Sequence, residues 1–246
     1  MNLAQFEQEL RQNLDGIDIE LDKRRIEQFY KYMELLLKWN ENVNLTSIVE
    51  PEEIITKHFT DSLTIQKYVE KDATIIDVGT GAGFPGIPLK ILREDVEVML
   101  LDSLNKRVNF LEEVINELKL KKIKGVHGRA EELGKEMENR EQYAVATSRA
   151  VAPLNILLEY MCPFVKIEGR IICMKGPKLI EELEKSERGI KLLGLEIEKI
   201  EDSVLPDTNM ERKILILKKV EKTSGKYPRT MANIRKAPLW TSSTSN

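Results

Sequence analysis

The sequence predicts an α/β protein: a mostly parallel, seven-stranded sheet covered by helices on both faces and preceded by a helical extension. Three observations predict it. From residue 73 onward, short apolar runs alternate with segments of helical spacing, the pattern of repeated β-α-β units. The first run, Thr74 to Val78, leads into the glycine-rich stretch Asp77-Val78-Gly79-Thr80-Gly81-Ala82-Gly83-Phe84-Pro85-Gly86. The last two runs are joined by a short loop holding Pro206 and Asp207, with no helix between them, so they are expected to pair antiparallel at the sheet edge.

The elements follow in order. Leu3, Phe6, Leu10 and Leu14 share one helical face, and Ile26, Phe29, Tyr30, Met33, Leu36 and Leu37 continue the pattern in a longer helix. Stripes at this spacing are core surfaces. The run from Asn40 to Ser47 ends that helix with side chains that bond their own backbone. Pro51-Glu52-Glu53 opens another, with proline in the first turn and acids at the positive end of the dipole; it carries His58, Asp61 and Ser62. Strands are expected at 74–78, 96–101, 123–127, 143–147, 170–174, 195–201 and 212–219. Helices are expected at 87–93, 104–118, 130–138, 153–162 and 178–192. The chain divides into a helical extension (1–66), an α/β unit (67–220) and a basic tail (221–246), with Thr241 to Asn246 low in complexity and expected to be disordered.

With 41% hydrophobic residues, the 246-residue chain can bury the core of one domain plus an appendage. No apolar run reaches the length of a membrane span, and the N-terminus has neither the basic nor the apolar region of a signal peptide. A cytoplasmic protein is expected. Cys162 and Cys173 lie in apolar surroundings without metal-ligand spacing and read as buried free thiols, so no metal is expected. The net charge of −3 is unevenly spread: Arg212 to Lys236 holds nine Lys or Arg against the single acid Glu221. A second basic cluster is Lys119, Lys121, Lys122 and Lys124. Such stripes bind phosphate when they line a site and are otherwise solvated faces.

The glycine-rich turn carries the strongest chemical signal. Glycine permits positive φ and lets a ligand approach the main chain, and the helix that follows directs unpaired N–H groups at the turn. A nucleotide-like ligand is expected there. Gly81-x-Gly83-x-x-Gly86, with Asp102 further on, formally meets the dinucleotide fingerprint. Two details oppose it: the strand ends at Val78, so the glycines start two residues late, and Pro85 has no N–H for a pyrophosphate. Asp77, an acid at the strand end, suits a cation, and S-adenosylmethionine carries both an ammonium and a sulfonium. A parallel sheet closed by an antiparallel hairpin also resembles the Rossmann-like fold of class I S-adenosylmethionine-dependent methyltransferases. A nicotinamide-dependent oxidoreductase, a non-catalytic RNA-binding factor and a methyltransferase for proteins or small molecules are the competing readings.

In open α/β sheets the ligand lies at the carboxyl ends of the strands. The first strand supplies Asp77, Gly79, Gly81 and Gly83. The second ends in Asp102-Ser103, an acid suited to both ribose hydroxyls or to capping the next helix. After the third come Ala130 and Glu131, placed for an adenine edge or for a helix start. Arg149 ends the fourth, facing either the cofactor or a structural acid. Lys175 ends the fifth, a rim cation for substrate phosphate or for solvent, and His58 reads as a base or, more simply, as a packed residue. No Walker lysine, nucleophile elbow, Asn-Pro-Pro-Tyr motif or Pro-Cys nucleophile occurs. An acceptor with a free lone pair and no proton to remove needs none of them.

These motifs together resemble one family, the small-subunit ribosomal RNA methyltransferase G family, also called glucose-inhibited division protein B. The resemblance runs from about residue 20 to 239. It rests on Trp39-Asn40-Glu41-Asn42-Val43-Asn44-Leu45-Thr46, Lys57-His58-Phe59-Thr60-Asp61-Ser62-Leu63, Asp77 to Leu89, Ser148-Arg149-Ala150-Val151-Ala152-Pro153-Leu154, Met174-Lys175-Gly176 and Lys226-Tyr227-Pro228-Arg229. It implies methylation of N7 of a guanine, nucleotide 527, in bacterial 16S rRNA, with S-adenosyl-L-methionine as donor. A monomer acting on RNA within the small subunit is expected, although the resemblance itself leaves open both the oligomeric state and whether naked RNA or an assembled subunit is the substrate. It places Gly79, Phe84, Ala130, Glu131 and Arg149 at cofactor contacts and Asp102 with Ser103 at the ribose. Arg149 is expected to orient the cofactor, and Lys175, Arg107 and the tail to hold phosphate. One departure stands out: after Arg229 the family usually continues with a basic stretch containing Gly and Pro, where this chain reads Thr230-Met231-Ala232-Asn233-Ile234-Arg235-Lys236.

Overall fold

A computed structural model describes residues 1–206 and 208–239. Asp207, within the expected hairpin loop, and Thr241 to Asn246 lie outside the described residues. Helix α1 (Leu3–Asp15) starts at a capping box in which Asn2 and Gln5 satisfy each other's backbone N–H. Helix α2 (Lys23–Val43), capped by Asp22, stops at Asn44 in the left-handed conformation. Then come α3 (Pro51–Ile54), a π-helical stretch (Ile55–Thr60) and α4 (Asp61–Leu63). The sequence reads as one plain helix here, but the wider π stretch carries Lys57 and His58.

Seven strands form one sheet: β1 (Thr74–Val78), β2 (Glu97–Asp102), β3 (Ile123–His127), β4 (Tyr143–Arg149), β5 (Val165–Lys175), β6 (Leu195–Val204) and β7 (Glu211–Lys219). Their order is β3-β2-β1-β4-β5-β7-β6, with β7 antiparallel to both neighbours and all other pairs parallel. The mostly parallel sheet with a terminal antiparallel pair is the architecture expected from the sequence.

Side chains alternate across the sheet. Ile75, Val98, Leu100, Val145, Ile172 and Ile216 enter one apolar layer, shared with α1, α2, α5 (Gly86–Leu92) and α6 (Asn105–Glu117). Ile76, Val78, Met99, Leu101, Ile171 and Leu217 enter the other. That second layer is closed by α7 (Ala130–Leu133), α8 (Leu154–Met161), α9 (Leu179–Glu184) and α10 (Glu187–Leu192). The N-terminal helices are therefore continuous with the core of the sheet, and a last helix, α11 (Met231–Lys236), packs on α8.

Three elements differ from the sequence expectation. The helix expected at 130–138 ends at Leu133, capped by Gly134, a residue type that disfavours helix interiors. The helix expected at 178–192 is two, broken at the fully buried Ser186, whose Oγ donates to the Glu182 carbonyl at 2.6 Å. Strand β5 starts at Val165; the exposed Lys166 and Glu168, the latter at φ 68, mask its first half in the sequence.

Candidate functional site

The carboxyl ends of β1, β2, β4 and β5 converge on the glycine turn. Strand alternation points Asp77 toward α5, beneath the turn, where its Oδ2 accepts from Thr80 Oγ1 at 2.7 Å and from the Gly86 N–H at 2.9 Å. Gly79 and Thr80 donate to the Leu101 carbonyl, and the Gly83 and Phe84 N–H groups return to Thr80. Gly79, Gly81 and Gly83 all have positive φ, for different reasons. A Cβ on Gly83 would lie 2.5 Å from Ile87 and 2.6 Å from the Tyr32 hydroxyl, whereas one on Gly81 would meet nothing within 4 Å. Tyr32, reaching from α2, donates to the Ala82 carbonyl, so the N-terminal helices brace the turn from behind.

Asp102, at the end of β2, is almost fully buried. Its Oδ2 accepts from the Gly81 N–H and its Oδ1 from the Leu104 N–H, both at 2.9 Å, with Arg107 Nη1 at 3.4 Å. Arg149, at the end of β4, is held by the π-helical stretch and the start of α4: Nη1 donates to the Lys57 carbonyl (2.9 Å) and to Asp61 Oδ2 (3.0 Å), and Nη2 lies 3.0 Å from His58 Nδ1. Asp61 Oδ1 accepts from Arg212 Nε at 3.1 Å, so one buried carboxylate bridges two arginines. The Phe84 ring stacks on the His58 imidazole, centroids 4.4 Å apart, with the Arg149 guanidinium 4.9 Å from the same ring. Lys175 Nζ donates to the Ala152 carbonyl (2.9 Å) and Glu182 Oε2 (2.7 Å).

Two clefts open here. The larger, about 730 Å³, is walled by Thr46, His58, Arg149, Lys175, Glu182 and Arg212. The smaller, about 290 Å³, is walled by Asp102, Ser103, Ala130, Glu131, Met231 and Arg235. Gly79, Arg107, Ala150 and Val151 border both, so the clefts adjoin across the glycine turn.

The chain's relatives decide what this arrangement belongs to. Residues 25–214 match the model of the family described as rRNA small subunit methyltransferase G (GidB). The chain belongs to the rRNA small subunit methyltransferase G family. It is 47% identical over 232 residues to the ribosomal RNA small subunit methyltransferase G of Alkaliphilus oremlandii, covering 94% of this chain and 97% of that protein. It is 48% identical over 232 residues, with the same coverages, to the protein of that name from Clostridium botulinum (strain Loch Maree). Among solved structures it is similar in fold to a SAM dependent methyltransferase from Aquifex aeolicus, with 18% identity, a TM-score of 0.53, and coverage of 71% of this chain and 96% of that one. The fold is that of the Rossmann-like class I methyltransferases.

In this member of the methyltransferase G family the residues singled out from sequence fall in three places. Gly79, Gly81, Phe84, Arg149 and Lys175 line the larger cleft; Asp102, Ser103, Ala130 and Glu131 line the smaller. Asp77 and Gly83 border neither and support the turn from below and behind. Tyr32 gave no local signal, and Arg212, Met231 and Arg235 were marked only as part of the basic C-terminal stretch; the chain's path brings all four here. The cluster Lys119 to Lys124 lies at the start of β3, the opposite end of the sheet from both clefts. Among the described residues no group of three or more His, Cys, Asp or Glu is placed to hold a metal ion, and no helix is long and apolar enough to cross a membrane.

Burial sets the protonation of two groups. It lowers His58 from 6.5 to about 3, reinforced by Arg149. Arginine only donates, so His58 Nδ1 is the acceptor and its Nε2–H faces Thr46 Oγ1 at 2.9 Å. Burial also lifts Asp77 from 3.8 to about 6, against the opposing hydrogen bonds from Thr80 and Gly86. The folded state thus holds the Asp77 proton more tightly than the unfolded chain, and this group's contribution to stability falls as pH rises from about 4 to 6. His58, depressed, acts in the opposite sense, losing stability as pH drops below 6.5. Denaturant titrations of Asp77→Asn and the parent protein should therefore diverge with pH, the variant gaining roughly 3 kcal/mol relative to the parent between pH 4 and 7. A constant difference across that range would show that Asp77 titrates normally.

Proposed function

We propose that this protein transfers a methyl group from S-adenosyl-L-methionine to N7 of a guanine, nucleotide 527, in 16S rRNA, acting as a cytoplasmic monomer on RNA within the small subunit. The observation that carries the reading is the pair of adjoining clefts, one lined by Asp102 and Glu131 and the other by Arg149 and further cations. The residues fit this cofactor. Gly81 leaves open the space that a Cβ would fill, and Asp102 Oδ1, which accepts from the Leu104 N–H, keeps a lone pair for a ribose hydroxyl, while Oδ2 meets both the Gly81 N–H and the longer Arg107 contact. Of the five N–H groups of Arg149, three are engaged and two remain for the cofactor's carboxylate.

When bound, S-adenosylmethionine would supply a methyl group activated on a sulfonium, the C–S electron pair being left on sulfur and the N7 lone pair forming the new C–N bond. N7 bears no proton, so no general base is required. His58 is suited to a structural part, because its Nδ1 lone pair is committed to Arg149 and its ring is stacked on Phe84. The protein's own contribution is positioning and fixed dipoles. Gly79, Gly81, Phe84 and Arg149 hold the amino-acid end, Asp102 and Ser103 the ribose, and Ala130 and Glu131 the base. Lys175, Arg107 and Arg212 present cations to RNA phosphate, and residues 1–66 form part of the RNA-facing wall of the 67–220 unit.

The two inner glycines separate binding from folding. Gly83→Ala should destabilise the fold by about 2 kcal/mol or more, since its Cβ collides with Ile87 and Tyr32 at positive φ. Gly81→Ala should cost only about 1 kcal/mol of stability, the left-handed penalty, yet weaken S-adenosylhomocysteine binding by filling the cleft. Thermal melts with calorimetric binding on both variants check this; unaltered affinity in Gly81→Ala would remove the turn from the cofactor site. The function itself is tested by comparing S-adenosylhomocysteine and NAD binding, then assaying labelled methyl transfer to small subunits that lack the modification. Binding of NAD alone would favour an oxidoreductase, and S-adenosylhomocysteine binding without transfer would point to a different acceptor.

A further inference from the structure

The C-terminal segment, basic by sequence and expected to hold RNA phosphate, folds back over the smaller cleft. Arg140 secures its start, with Nη2 donating to the Thr223 carbonyl (2.7 Å) and Nη1 to the Tyr227 carbonyl (2.9 Å). Tyr227 and Leu239 are buried in the second apolar layer. Between them Arg229 grips the fully buried Glu159 of α8 through its backbone N–H (2.8 Å), Nε (2.9 Å) and Nη2 (2.6 Å). Ile234 is fully buried and seats α11 on α8. This stapling turns Met231 and Arg235 into the cleft that also holds Asp102, Ala130 and Glu131, and Met231 Sδ lies 3.1 Å from Arg129 Nη1.

We infer that α11 completes the adenine subsite of the cofactor cleft, with Met231 and Arg235 as positioning residues for the purine ring. The inference rests on the methyltransferase reading above and deepens it. A thioether is polarizable and packs well against an aromatic ring. A guanidinium is planar and stacks on aromatic faces as an ammonium does not. Both are the residue types a neutral, flat ligand selects, whereas RNA phosphate requires charge alone.

The test is calorimetric binding of S-adenosylhomocysteine and of 5′-methylthioadenosine, which keeps the adenosine but lacks the amino-acid end. Parent, Met231→Ala, Arg235→Ala, Arg235→Lys and Lys236→Ala are compared, with filter binding of 16S rRNA alongside. Met231→Ala and Arg235→Ala should each weaken both ligands, Arg235→Ala by about tenfold, and Arg235→Lys should recover little of that loss. Lys236→Ala should leave both ligand affinities near the parent's, and Met231→Ala and Arg235→Ala should leave RNA affinity near it. Limited proteolysis of the tail establishes that α11 remains seated in each variant. Unchanged ligand affinity in both alanine variants with α11 in place overturns the inference, as does recovery by Arg235→Lys together with weakened RNA binding in Arg235→Ala. A parent protein that binds neither ligand overturns the methyltransferase reading and this inference with it.

Discussion

Replacing Arg149 with alanine is expected to lower methyl transfer by about 10²- to 10³-fold, the scale of losing one preorganised charged donor at a reacting centre. The fold should survive, because Asp61 keeps its bond to Arg212 and the Lys57 carbonyl is released toward the open cleft. Arg149→Lys should fall between the two: it keeps the charge but not the fork that serves Lys57, Asp61 and His58 at once. His58 gives an independent readout. Burial is the first cause of its low pKa and Arg149 the second, so in Arg149→Ala the imidazole should titrate above its native value of about 3, measurable by NMR. Steady-state kinetics and S-adenosylhomocysteine affinity report the functional loss. An unaltered rate and affinity would take Arg149 out of the site.

Arg229→Ala carries the largest expected cost in stability, about 3–5 kcal/mol, because it leaves the carboxylate of Glu159 buried without its counter-ion. The Arg229 backbone N–H still donates to Oε1, which offsets part of the loss. Substituting methionine at both Glu159 and Arg229 should recover much of the stability, since the uncompensated charge is then gone. Denaturant unfolding of the two variants decides. A double variant no more stable than Arg229→Ala would mean that packing, not charge, sets the cost. Glu159 is on α8 and Arg229 precedes α11, so the same pair determines whether the tail closes the smaller cleft.

How much of this was legible in the sequence depended on range. Strand β1 lies at 74–78 as expected, because a short apolar run followed by glycines admits few alternatives. The terminal antiparallel pair was legible from a missing helix. Helix ends were less so: one helix breaks at Ser186, whose hydroxyl bonds the Glu182 carbonyl, and another stops at Gly134, with only single residues to mark either end. At the site, glycine spacing and an acid at the end of β2 are local patterns and were readable. The bracing of the turn by Tyr32 and the bridge from Asp61 to Arg149 and Arg212 join residues far apart in the chain. No period or spacing encodes such contacts. Asp77 shows the limit from the other side: the motif marked the residue, but only strand alternation tells that it faces α5 beneath the turn and not the cleft.

The central claim is tested most directly by locating the transferred methyl group. Purified protein, S-adenosylmethionine labelled in its methyl group, and small subunits from cells lacking the modification are incubated, and the 16S rRNA is digested and mapped. The account predicts label in 7-methylguanosine at nucleotide 527, greatly reduced with Arg149→Ala. Label on another base or another atom, or none while S-adenosylhomocysteine still binds, would contradict it.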